Sequence, residues 1–489
     1  MITLKKSAFL RKRSVLKKRL LLSHQSFMLG SLQVSIGFAL ACCFSSCDDF
    51  DIVSTANDPN MQEAPVGGNA EPPTLQAEWQ LQMVPDIGRQ AEGTFVYKDL
   101  KYNNLFRRNI GWNGGESAVS VPLPDGNIVW LFDESYTGIV DPVDNARLTG
   151  NQPRNSMLVQ RSSDGILGET PDDLVYIGDY VNVTDPEGKA YMYGKTLLRH
   201  PQGGRNQTQI DAGQIDNNNI YRVVDATVAN GQLQVLWRAT TPTATASQGC
   251  ALAIYSLDGT MPANAFIPQL PDYLPAPGQY LYQESVNHEF SKNRTVFGIN
   301  LYEDADGYTY LYALNGGDLL VARAPQHDLS ATWEYYVRNV AGQFQWQEAP
   351  PTIEEMLRSV IMENGYQCQL PQVFKDGDQY YLLTQSPADP GTTVFLYTAP
   401  TPYGPFSNQQ MLFCLPDRLD KLGLQTINSI SHVRIHPELS RQGELVLSVS
   451  TQPANANDNY NYPGSADFQR PHFFRIYNWK APFFASEAY

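Results

Sequence analysis

Basic residues are scarce in this chain. Its 489 residues include 35 Lys and Arg against 50 Asp and Glu, a formal net charge of −15 at neutral pH. Eight of the basic residues crowd into Lys5–Arg19, ahead of the first acid at Asp48. Without them 27 basic residues face 50 acids, a net charge of −23. A domain this acidic repels nucleic acid and anionic lipid, and a neutral or cationic partner is more natural. Cysteine is also sparse: beyond Cys47 only Cys250, Cys368 and Cys414 occur, an odd number without metal-ligand spacing. They read as buried or free thiols, with room for one disulfide in an extracytoplasmic setting. Histidines do not cluster. His288, His436 and His472 share no helical or hairpin spacing, so no zinc signature arises. Glu303-Asp304-Ala305-Asp306-Gly307 lacks the ligand pattern that follows in a calcium loop and serves as a turn. Phosphate loop, dinucleotide fingerprint and nucleophile elbow are all missing, so no cofactor is implied. The apolar stretch Phe27–Phe44 is interrupted by Ser and Gly, too broken for a membrane-spanning helix.

Aromatic residues are plentiful, at 11%, and the chain holds 36 Gly and 33 Pro. That balance favours a turn-rich β protein. The basic then apolar N-terminus reads as a targeting segment. Its end, Phe44-Ser45-Ser46-Cys47, resembles a bacterial lipobox, in which the Cys becomes the lipidated first residue; Cys42 is the weaker competitor. Asp48-Asp49-Phe50-Asp51 resembles the surface-export signal of Bacteroidetes lipoproteins. The expected organisation is a lipoprotein signal peptide over 1–46, a lipidated Cys47 and flexible tether over 47–78, and one domain over 79–489. The resemblance implies an outer-membrane lipoprotein, exposed at the cell surface and held to the membrane by lipid alone.

Within that domain one pattern recurs. An extended stretch meets a glycine turn and returns as an aromatic or β-branched stretch, at Gly126, Gly231, Gly307, Gly377 and Gly443. A further strand candidate follows each hairpin. Five such units predict an all-β fold, a five-bladed β-propeller, because a blade cannot bury both faces alone. The last unit runs out of chain after Trp479, and a strand near Thr94–Tyr97 is expected to complete it. A β-sandwich followed by a second domain is the alternative. One helix is expected over Thr352–Met362, with Thr352 as its cap.

The first hairpin, Glu116–Ser135, carries acids at both open ends. If Pro124-Asp125-Gly126 is a three-residue loop, Leu123 opposes Asn127 and Glu116 opposes Glu134 on one face. With a two-residue loop Asp133 would replace Glu134. Proline before Asp-Gly favours the first arrangement, with Asp133 in reserve. Opposed carboxylates repel, so one holds its proton while the other ionises. Glycosidic-bond hydrolysis needs such a pair.

The stretch G-G-E-S-A-V-S-V-P-L-P-D-G-N-I-V-W-L-F-D-E-S resembles the opening of the domain-of-unknown-function 4185 and 5005 families. The first contains the endo-D-arabinanases of glycoside hydrolase family 183, five-bladed propellers that cleave arabinofuranose polymers. The resemblance is specific over about Gly111–Arg161, including Arg154-Asn155-Ser156. By position the family's two aspartates fall on Glu116 and Glu134, both glutamate here. A wider resemblance links Gln369–Gly377 and Tyr403-Gly404-Pro405-Phe406 to the fourth blade of arabinanase, invertase and levansucrase families. Those families place a glutamate where this chain has Gln369, so their three-carboxylate set is incomplete.

Around the carboxylates, a sugar-binding set is expected from Trp112, Arg154, Asn155, Asp225, Asn300, Gln367, Gln369 and His432, with Tyr366 and Ser431 nearby. Trp112 would stack on a ring face, and Asp225 would lower substrate mobility, tune a catalytic pKa, or pair with Arg222 or Arg238. The expected partner is a polysaccharide or oligosaccharide, and the reaction cleavage of a furanose-containing, arabinan-like glycan. A non-catalytic glycan-binding lipoprotein and an adhesive propeller are the rival readings on the same fold.

Overall fold

A computed structural model describes residues 72–84, 90–178, 180–184, 190–198, 220–241, 244–257, 297–362, 368–385, 393–415, 429–441, 443–453, 455–460 and 462–484. Cys47, Tyr366 and Gln367 lie outside these residues. The described chain is all-β with few helices.

The five expected hairpins all form. Their turn glycines, 126, 231, 307, 377 and 443, have φ between 63° and 89°, where a side chain would be strained. Each hairpin begins with a strand that forms one edge of its own sheet: Val119–Pro122, Ile220–Ala229, Asn300–Glu303, Gln369–Asp376 and Ser429–Ile435. Antiparallel strands continue each sheet outward, to four, three, five, four and five strands respectively. The fifth sheet is completed from the N-terminal side, where Phe95–Asp99 pairs with His472–Tyr477 and Leu81–Met83 adds beyond it. The expected helix forms as Ile353–Arg358, capped by Thr352 and Glu355 in a capping box.

Apolar side chains sort into five clusters, each between one sheet and the next. The strand Ile128–Phe132 shows why its run is unbroken by polar residues. Val129 and Leu131 face the second sheet, while Ile128, Trp130 and Phe132 face the fifth. A strand buried on both faces has no solvent side to alternate with.

Polar side chains stitch the same sheets in sequence. Asp133 Oδ1 accepts the Val223 amide at 2.5 Å, and Asp225 Oδ2 accepts that of Leu301 at 2.8 Å. Asn300 Oδ1 accepts from Val373 at 2.9 Å, and Gln372 Oε1 from Ile435 at 2.7 Å. Ser450 Oγ accepts from Ser117 at 3.2 Å and returns the circuit to the first sheet. Edge strands leave one row of amides unpaired, and these contacts satisfy some of them. All five edge strands line one cavity of about 310 Å³.

Candidate functional site

The first hairpin is longer than its sheet. Beyond Glu116 the strands continue as Ile110–Gly115 paired with Ser135–Val140, in a three-stranded sheet separate from the five hairpin sheets. The two acids sit where the ribbon passes from one sheet to the other. Ser117 and Ala118 mark the break with φ of 76° and 38°. Gly115 lets the ribbon close there, because a Cβ would meet that of Phe132 at 2.8 Å.

The turn is the three-residue form. Leu123 N donates to Asn127 O at 2.8 Å, and Gly126 N to Leu123 O at 3.0 Å. The register then places Glu116 opposite Glu134, with Glu116 N donating to Glu134 O at 3.3 Å. Asp133 points elsewhere. It is buried, accepts from Ser117 Oγ at 2.6 Å, and spends its other oxygen on Val223.

The two glutamates occupy unlike surroundings. The Glu116 side chain is 3% exposed and that of Glu134 32%. Gln452 Nε2 donates to Glu116 Oε1 at 2.5 Å. Burial, followed by the charge of Glu134, pushes the Glu116 carboxyl up to about 7, with Arg222 opposing the rise. Glu134 instead ion-pairs through one oxygen with Arg154 Nη1 at 3.1 Å and Arg222 Nη2 at 3.2 Å. Arg222 Nη1 also lies 3.8 Å from Glu116 Oε2, so one guanidinium spans the pair. Burial works against the Arg222 cation, but Asp133, Glu134 and Glu116 together hold its pKa up. A protonatable acid beside an ion-paired carboxylate is an arrangement that can deliver and accept a proton in one step sequence.

The surrounding residues divide. Arg154 joins the pair directly. His432 is half-buried with φ of 53°, and its Nδ1 lies 3.0 Å from Ser431 Oγ. Burial and the cations Arg434, Arg222 and Arg238 depress it to about 3, so its ring is neutral. Gln369 exposes its side chain at the start of the fourth edge strand.

Four expected sugar contacts are bonded within the protein, though Asp225 and Asn300 also line the cavity between the edge strands. Trp112 is fully buried, its ring tilted against Phe132 and its Nε1 donating to Ser156 Oγ at 3.0 Å, so it offers no face to a sugar. Asn155 is fully buried too. Its amide bonds Leu198 O at 3.1 Å and Tyr221 O at 2.8 Å, and accepts from Leu198 N at 2.7 Å. Asp225 does not hydrogen-bond to Arg222 or Arg238; it accepts from Ala226 N, Leu301 N and Asn300 Nδ2 at 2.8–3.0 Å. Asn300 joins it in holding the second, third and fourth sheets together. Buried polar groups must find partners, and backbone amides of the neighbouring edge strand were the nearest.

Arg222 and Gln452 are the functional candidates that sequence reasoning overlooked. Arg222 lies at the start of the second hairpin and Gln452 at the end of the fifth, places equivalent to Glu116 and Glu134 in the first. Counted from the turn glycines, each falls one residue off the place of its counterpart in the first hairpin, so hairpin spacing alone gives no signal for them.

Among known proteins, the crystal structure of a candidate hydrolase from Bacteroides ovatus ATCC 8483 is 39% identical, with a TM-score of 0.74 over 85% of this chain and 98% of that one. Likeness to family-43 glycoside hydrolases is fainter. A thermostable member gives 14% identity and a TM-score of 0.34 over 75% of this chain and 90% of that one. GH43B of a Bacteroides ovatus xyloglucan locus gives 12% and 0.38 over 76% and 53%. Values that low support no shared chemistry. No curated protein matches the chain. The family that does match is described as Domain of unknown function (DUF5005), over residues 99–479, and the chain belongs to it.

Proposed function

We propose that this protein is a glycoside hydrolase of a furanose-containing, arabinan-like polysaccharide. The observation that carries the reading is the opposed, unequal pair Glu116 and Glu134. Glu116, buried and titrating near neutrality, protonates the leaving glycosidic oxygen. Glu134, ion-paired and part-exposed, serves as base or nucleophile on the other face of the sugar. Arg222 keeps the two carboxyls in register by reaching both. The hydrolase description of the Bacteroides ovatus relative, 39% identical, agrees with this chemistry.

The five sheets around one cavity are taken as the blades of a five-bladed propeller, with the carboxylates at the mouth where the edge strands begin. Residues 1–46 act as a signal peptide, Cys47 carries lipid, and the tether to about residue 78 displays the domain 79–489 on the outer membrane surface. Gln369 and His432 line the mouth as sugar contacts.

The test is a screen of the protein against arabinan, fructan and host glycans for reducing-end release. Release that disappears in both Glu116→Gln and Glu134→Gln supports the hydrolase. Binding without cleavage by the wild type supports a glycan-binding module instead.

A further inference from the structure

The acidity of the whole chain is reversed at the carboxylate pair. Arg222 and Arg238 stand directly opposite each other on adjacent strands of the second sheet. Like charges in that position repel, so the sheet carries a cost unless an anion lies beside them. Arg154 reaches the same place from the first sheet. Among the described residues, the Arg154 and Arg222 guanidiniums each make one hydrogen bond to a carboxylate, and both go to the same oxygen, Glu134 Oε1. Each guanidinium has five N–H donors, more than these bonds to Glu134 use. Arg154 Nε is buried without a partner. Both side chains retain access to solvent, at 18% and 25% exposure. Against the three arginines stand Glu134 and Asp133, with Glu116 as the group that carries the reactive proton. When Glu116 is protonated, three cations face two anions, in a chain whose net charge is −15.

We infer that the site binds a carboxylate-bearing sugar, a uronate residue next to the bond being cleaved, held by Arg154 and Arg222. The planar fork of a guanidinium matches a carboxylate in two parallel hydrogen bonds, which favours a uronate over a neutral ring. A cationic site on an acidic protein draws an anionic sugar to that place while the net charge works against binding elsewhere. This inference rests on the hydrolase reading for the place of the sugar, but not for its charge.

The experiment compares the full-length protein's affinity for a uronate-containing oligosaccharide and for the same oligosaccharide after carboxyl reduction. A sulfated oligosaccharide is the third probe. The expected result is binding of the uronate roughly tenfold tighter than of its reduced form, weakening as salt rises. Arg154→Gln should erase the preference and Arg154→Lys keep part of it, with thermal melting used to show that both variants fold. Equal affinity for the charged and reduced forms overturns the inference, as does no binding of either. Tighter binding of the sulfated probe overturns the assignment to a carboxylate. Cleavage of a neutral glycan that depends on Glu116, with no charge preference, leaves the hydrolase standing and removes the uronate. Charge-selective binding with no cleavage of any probe does the reverse.

Discussion

Among the described residues two carboxyls are pushed up to about 7, and they lie toward opposite ends of the edge strands. Glu116 sits where the first edge strand begins, beside Arg222. Glu438 follows the end of the fifth edge strand and lines the central cavity. Burial is the leading cause in both. Their partners differ. Glu116 faces a second carboxylate across the hairpin, with a guanidinium reaching both. Glu438 accepts from Ser120 Oγ, whose oxygen lies 2.6 Å from His436 Nδ1, while His436 Nε2 lies 2.9 Å from Ser448 Oγ. His436 is fully buried and held neutral, its pKa lowered to about 3 by burial and by Arg434 and Arg475. A perturbed acid alone does not mark a reaction centre. What separates the two ends is a carboxylate directly opposite across the hairpin with a guanidinium reaching both, whereas at Glu438 the charge of Asp225 only adds to burial.

The largest expected effect breaks that comparison directly. Glu116→Gln and Glu134→Gln should each lower glycan cleavage by about 10³-fold, the loss of one proton-transfer or nucleophilic partner. Glu438→Gln should change it less than about twofold, within the small effects typical of changes outside the site. Reducing-end assays on the three variants at one pH decide it. A Glu438 variant as inactive as the other two would move the reaction centre to the cavity.

How much of this was readable in the sequence follows from which interactions are local. The five hairpins were legible because each turn places a glycine at a position only glycine occupies without strain, and the strands flank it within a few residues. The register of Glu116 against Glu134 was legible for the same reason: Pro124-Asp125-Gly126 is a local device. Trp112, Asn155 and Asp225 were misread because their partners come from elsewhere in the chain. The Asn155 partners lie up to 66 residues away, and Asp225 meets Leu301 across 76. A polar residue in an apolar strand announces that it needs a partner but not who the partner is. Arg222 was named only as a partner for Asp225, and nothing near it in sequence says that it faces Glu134 across 88 residues.

The next effect uses stability. Each raised carboxyl binds its proton more tightly in the folded state than in the unfolded chain, where it titrates near 4.5. The folded form therefore holds more protons between about 4.5 and 7, and stability falls as pH rises through that window. Glu438→Gln removes one such group while keeping an oxygen to accept from Ser120. The variant should gain up to about 3 kcal/mol over wild type at pH 8 and little at pH 4. Urea unfolding at the two pH values measures the difference, and a constant offset would show that Glu438 is not the titrating group. Gln372→Ala is the control from the ring of contacts. It strands the Ile435 amide and should cost about 2 kcal/mol at every pH.

The smallest effect is a shift in a pH profile. Arg222 opposes the rise of Glu116 because its cation favours the ionised carboxyl. In Arg222→Gln that opposition is gone, and Glu116 keeps its proton to higher pH. The limb of kcat/KM that falls as the acid deprotonates should then move upward by less than about one pH unit, beneath a lowered maximum. Arg222 is absent from the groups that act on Glu438, so the pH window of stability assigned to Glu438 should stay where it is. A limb that stays in place or moves down would show that the Arg222 cation does not act on the acid that sets it. Arg154→Gln is the control and should move the limb less, since Arg154 pairs with Glu134 and not with Glu116.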